Sequence, residues 1–213
     1  MRSAAAFLVL LSALGAGETL DRVAVRVGSN VITQSEVRRH LRMEAFIQSA
    51  EPDLRPEAMH RAAERLIDQM LVRRELELNR YPPAPAREVD SNVEQIRKAR
   101  NEDAETFARS LARFGFTEED LRNEVLYEIE LLRFVDFRFS AGVQVSDAEI
   151  QAAYDKEVGT AAKQKNVTPP SLDEARASIL KLLTYRKTTA ALEQWLAQAR
   201  QQVKIRYFEE AFR

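Results

Sequence analysis

Strand-like alternation marks the two ends of this chain, and helical spacing marks nearly everything between them. Val23, Val25 and Val27 alternate with Ala24 and Arg26, the period of a half-buried strand. Gly28-Ser29-Asn30 is a turn cluster, and Val31-Ile32-Thr33 begins a second short strand. At the far end Val203, Ile205 and Tyr207 alternate with Lys204 and Arg206. A two-stranded hairpin alone is marginal in water. The pattern therefore predicts that the terminal strand joins the hairpin in one small antiparallel sheet, with a mainly α-helical chain between.

The helices announce themselves by their starts and stops. Thr33-Gln34-Ser35-Glu36 reads as a capping box, with hydroxyl and carboxylate each satisfying the other residue's backbone N–H. A first helix follows from Gln34 to about Gln48, with Val37, Leu41 and Ala45 or Phe46 inward. Glu51-Pro52-Asp53 breaks it. Pro56 opens a long second helix to about Asn79, carrying Met59, Ala63, Leu66, Ile67, Met70 and Leu71 at helical spacing. Tyr81-Pro82-Pro83-Ala84-Pro85 stops it, because proline lacks the N–H and disfavours helix before it. A third helix is expected from Glu88 to about Arg100 and a fourth from Asp103 to Phe114, ended by Gly115. Thr117 caps a fifth, with Leu121, Val125, Ile129 and Leu132 as its inner stripe. Ser146-Asp147-Ala148-Glu149 is another capping box, starting a short helix with Ile150 and Tyr154. Gly159 to Pro170 is polar and linker-like. Ser171 caps a last helix to about Gln201. Its apolar seam runs Ala175, Ile179, Leu182, Tyr185, Thr189, Leu192, Leu196 and Ala199.

The first residues follow another rule. Arg2 supplies a positive start, Ala4 to Leu14 an apolar run, and Gly15-Ala16-Gly17 small residues for cleavage. Residues 1–17 thus read as a signal peptide, with export to the periplasm as the expected destination if the source is a Gram-negative bacterium. The run is too short to span a bilayer, and no stable membrane insertion is expected.

The opening Asp21-Arg22-Val23-Ala24-Val25, with Asn30-Val31-Ile32-Thr33 and Ser35-Glu36-Val37, resembles the N-terminal module of the SurA and PpiC family of secreted chaperones and parvulin-type prolyl isomerases. The order of the later helices is similar too. Val145 to Ile150 with Tyr154 resembles the family's lead-in to its parvulin domain, but here it runs into the polar stretch 159–170 instead. The resemblance implies a SurA-like domain over 18–213. Within it, 18–158 would form the hairpin and helical lobe, 159–170 a linker where a parvulin domain would be, and 171–213 the long helix and closing strand. It also implies that the terminal helix and strand pack back on the N-terminal module. Because the parvulin segment is missing, the family's isomerase activity is not carried over.

Charge and chemistry narrow the function. The chain has 32 Lys plus Arg against 33 Asp plus Glu, with dispersed signs, so it lacks the basic patch that nucleic-acid binding requires. With no Cys, thiol nucleophiles and cysteine metal sites are excluded. His40 and His60 are scattered and read as surface or packing residues. The acidic runs Glu118-Glu119-Asp120, Glu102-Asp103 and Glu209-Glu210 fall at helix starts or chain ends, where they favour the helix dipole. No phosphate loop or nucleophile motif is present. The expectation is a protein with no catalytic residues, metal or cofactor.

Its informative side chains are flexible or aromatic: Met43, Phe46, Met59, Met70, Phe107, Phe114 and Phe116. Methionine adapts to many shapes, as a promiscuous binding surface needs. Most are expected in the core and a minority along a groove, with Met43, Phe46, Met59, Phe107, Phe114 and Phe116 as candidate client-binding residues. Phe134, Phe137 and Phe139 do not fit one helix face. The expected function is an ATP-independent holdase for unfolded secreted or outer-membrane proteins. The alternatives are an adaptor for one folded partner and a degenerate prolyl isomerase.

Overall fold

The computed structural model describes residues 21–160 and 168–213. The expected signal peptide and most of the expected linker lie outside the described residues. The hairpin comprises β1 (Val23–Val27) and β2 (Asn30–Thr33). Helices follow as α1 (Gln34–Ile47), α2 (Pro56–Leu78), α3 (Ala86–Ala99), α4 (Ala104–Phe114), α5 (Glu118–Phe139), α6 (Asp147–Ala153) and α7 (Leu172–Gln201). Strand β3 (Ile205–Tyr207) and a short 3-10 turn at Glu209–Phe212 follow α7.

The chain is mainly α-helical, with one three-stranded antiparallel sheet in the order β2-β1-β3. β1 is central because it pairs with its hairpin neighbour on one side and with the end of the chain on the other. Val25 faces Tyr207 and Val27 faces Ile205 across the β1–β3 ladder. The Gly28 N–H donates to the Lys204 carbonyl and the Phe208 N–H to the Ala24 carbonyl, both at 2.9 Å. Gly28 takes φ +61° at the first turn position, which glycine adopts without steric cost.

Helix starts sit where the caps place them. In α1 the Thr33 hydroxyl accepts from the Glu36 N–H at 3.3 Å, while the Glu36 carboxylate accepts from the Thr33 N–H at 2.7 Å. The same reciprocal box opens α5 with Thr117 and Asp120, α6 with Ser146 and Glu149, and α7 with Ser171 and Glu174. Pro56 stands in the first turn of α2, and Gly115 ends α4 with φ +83°.

The sheet rests on α1 and α2. Val25, Val27, Ile32, Val37, Met59, Ala63, Ile67 and Phe212 form this first core. A second core joins α1, α3, α4 and α5 through Phe46, Val89, Val93, Phe107, Leu111, Leu121 and Val125. α7 has 30 residues, about 45 Å at 1.5 Å per residue. Its first half packs on α6 through Ala175 and Ile179 against Ile150 and Ala153. Its second half lays Leu192, Trp195 and Leu196 against Val72, Tyr127 and Phe134. Arg200 then clamps α7 to α2, donating to Asp68 at 2.7 Å and pairing with Glu64, which also accepts from the Tyr207 hydroxyl.

Two stripes differ from the sequence expectation. Leu132 is exposed rather than inward on α5, because the helix changes partners along its length. Leu121, Val125 and Ile129 face the second core, whereas Leu131, Phe134 and Val135 turn to α2 and α7. Tyr185, expected in the α7 seam, is also exposed, since it falls between the two clusters that α7 joins. Below it Leu183, not Leu182, packs against the α6 cluster.

Candidate binding cleft

The hairpin, α1, α2 and the start of α5 surround an open cleft of about 600 Å³. The capped turn at Thr33 sends α1 directly out of β2, and Gly115 reverses the chain so that Phe116 enters from the opposite wall. Met43, Leu66, Met70, Leu71 and Phe116 supply apolar surface, and Val31 of β2 stands at the edge, 41% exposed. The rim mixes both signs. Arg39 pairs with Asp120 across the α1–α5 wall and lies over the Phe116 ring at 4.7 Å. Arg73 and Arg74 border the α2 side with Glu77.

Titratable groups on three helices meet at the wall. His40 Nε2 lies 3.3 Å from Glu44 and accepts from Arg65 Nε at 3.4 Å. Arg65 also donates to Glu44 at 2.7 Å. Burial pushes the His40 imidazole below its ordinary pKa, against the opposing pull of Glu44 and Glu124. Burial pushes the Glu124 carboxyl above its ordinary range, with the His40 charge acting the other way. Asp120 is held low, first by the Thr117 N–H that donates to it.

The structure separates the six candidate client contacts. Met43 and Phe116 border the cleft, each buried on the core side. Phe46, Met59 and Phe107 are packed in the two cores and offer no surface to a client. Phe114 is half-buried, edge-on to Phe46 with ring centroids 5.7 Å apart. Met70, read from its helical spacing, joins Met43 in the cleft. Leu66 and Val31 were not singled out as binding residues. Their signal is faint: one is the first residue of a predicted strand, the other one leucine in a long stripe.

A second open cavity, about 990 Å³, lies where α2 ends and α5 continues. Tyr81 stands edge-on to Phe134 and Phe137, with centroids 5.6 Å and 5.5 Å away. Phe134 is fully buried, whereas Phe137 is 74% exposed. The RFVDFRF stretch thus divides between core and surface, since Phe139 also turns inward to Phe134 and Trp195.

Among the described residues no helix is long and apolar enough to cross a membrane, and no group of three or more His, Asp or Glu side chains is placed to hold a metal ion. No protein-family model matches this sequence, and a search of curated proteins finds no match.

Proposed function

We propose that this chain is an exported, ATP-independent holdase of SurA-like type that captures extended segments of unfolded secreted or outer-membrane proteins in the cleft between the hairpin, α1, α2 and α5. The observation that carries the reading is the cleft's lining. Met43 and Met70 face one another's helices beside Leu66 and Phe116, under a rim of mixed charge. Flexible thioethers accommodate varied side chains. The N-terminal resemblance to secreted chaperones agrees with it. Capture would draw on binding energy alone, and a bound extended segment loses chain entropy, so affinity is weak and broad.

The test is aggregation of an unfolded outer-membrane protein followed by light scattering, with the mature protein added without ATP. Suppression is expected across unrelated clients, and Val31→Ser with Met70→Ser should weaken it while far-UV circular dichroism stays unchanged. A prolyl isomerase assay should show only uncatalysed rotation, over tens to hundreds of seconds. No suppression at several-fold molar excess would refute the reading.

One observation favours the adaptor alternative. Phe137 and Leu132 are large exposed apolar side chains on α5, and exposed apolar surface of this kind marks protein contacts. One folded partner that co-purifies stoichiometrically and is lost on Phe137→Ser would decide for it.

A further inference from the structure

His40 on α1 and Glu124 on α5 both line the cleft and feel each other's charge. Arg39 and Asp120 are paired, which leaves Glu36, Glu77 and Glu124 against Arg73 and Arg74 at neutral pH, a net negative lining. His40 lines the same cleft with its side chain only 13% exposed. The charged groups facing it are Glu44 on its own helix, Arg65 on α2 and Glu124 on α5. Its Nε2 is poised between a donor and an acceptor. Accepting from Arg65 at 3.4 Å requires that nitrogen to be bare, whereas a proton there would instead be donated to Glu44 at 3.3 Å. Arg65 bonds separately to the other Glu44 oxygen at 2.7 Å. Protonation therefore turns Nε2 from an acceptor for Arg65 into a donor to Glu44, while the Arg65–Glu44 bond does not require that nitrogen.

We propose that His40, set against Glu124, governs which client charge the cleft accepts, and that mild acidification removes its preference for basic flanking residues. This inference rests on the holdase reading of the same cleft. When His40 gains a proton, Glu36, Glu77 and Glu124 face Arg73, Arg74 and His40, and the lining loses its net negative charge. The charge on each group favours the charge on the other, so a proton on His40 keeps Glu124 ionised.

The experiment uses two labelled peptides with one apolar core, flanked by lysines in one and by aspartates in the other. Their binding is measured by fluorescence anisotropy between about pH 7.5 and about pH 5, alongside the His40 imidazole shift by NMR. The ratio of lysine-flanked to aspartate-flanked affinity should fall by about fivefold or more on acidification, and the fall should follow the His40 titration. His40→Gln should flatten it, whereas Glu124→Gln should lower the ratio at neutral pH and leave a fall that follows His40. Peptides that bind with a pH-independent ratio, or with the same fall in His40→Gln, overturn this inference and leave the holdase reading standing. Failure of either peptide to bind at any pH overturns the holdase reading and this inference together.

Discussion

Replacing Phe212 by alanine tests whether the end of the chain is structural. Phe212 is 1% exposed and stacks on His60, with ring centroids 3.9 Å apart and an interplanar angle of 18°. It shares a core with Val25, Val27 and Met59. The preceding Ala211 carbonyl accepts from Gln34 Nε2 at 2.6 Å, which ties the same turn to α1. Truncating a buried phenylalanine costs about 3–5 kcal/mol, and a short 3-10 turn can partly close the void, so about 3 kcal/mol is expected. For a chain of this size that corresponds to a fall in melting temperature of about 6–12 °C. Urea unfolding followed by far-UV circular dichroism measures it, and an unchanged slope shows that the unfolded state is not altered. Phe137→Ala is the matched control. The same atoms are removed from a side chain that is 74% exposed, so the change should stay within about 0.5 kcal/mol. A Phe212→Ala loss below about 1 kcal/mol, or equal to the control, would mean that the terminal turn does not complete the core.

Three further perturbations reach other parts of the fold. Arg200→Gln removes the clamp on Glu64 and Asp68 and should cost about 1–3 kcal/mol at neutral pH by urea denaturation. Its pH dependence follows from Glu64: burial raises its pKa, but the bonds from Tyr207 and Arg200 outweigh this and hold it below 4.5. That stabilisation is present above the unfolded value and is lost as pH falls through the folded one, so wild type and variant should converge in strong acid. Gly115→Ala puts a side chain on φ +83°, where an added Cβ meets only the far end of Arg42 at 3.7 Å. The cost is then conformational, about 1–2 kcal/mol by thermal melting, and a neutral result would deny the left-handed cap. Deleting Val203–Arg213 removes β3 and uncovers the β1 edge, so the product should aggregate on size-exclusion chromatography. A soluble product with an unchanged melting temperature would refute the closed-ends architecture.

Elements with local causes were legible in the residues. Thr33, Thr117, Ser146 and Ser171 each carry an acidic partner three positions on, so four helix starts follow from chemistry within one turn. Pro56 and Gly115 act through their own backbone conformations and needed no tertiary information. The joining of β1 to β3 was legible because a hairpin with an apolar face needs cover and one other segment alternated. Features that depend on which neighbour a face meets were not. Periodicity showed an apolar stripe on α5 but not that its partners change after Ile129, which left Leu132 outside. Met43 and Met59 are alike in sequence. One borders a gap between α1 and α5, and the other lies under the sheet, so their difference comes wholly from packing.

The pairing of β1 with β3 also dictates an order of events. Gln34 and Ala211, bonded in the folded protein, are 177 residues apart. Bringing such distant segments together costs about 4–5 kcal/mol of chain entropy in an ideal chain. While the protein is made from its first residue onward, the hairpin, α1 and α2 are complete long before β3 exists. Through that interval one edge of β1 has no partner, and the His60 ring lacks the aromatic that will stack on it. The segment of β3 and the turn after it therefore acts as a latch, and the time between hairpin and latch is the period in which a newly made chain is most exposed to pairing with a neighbour.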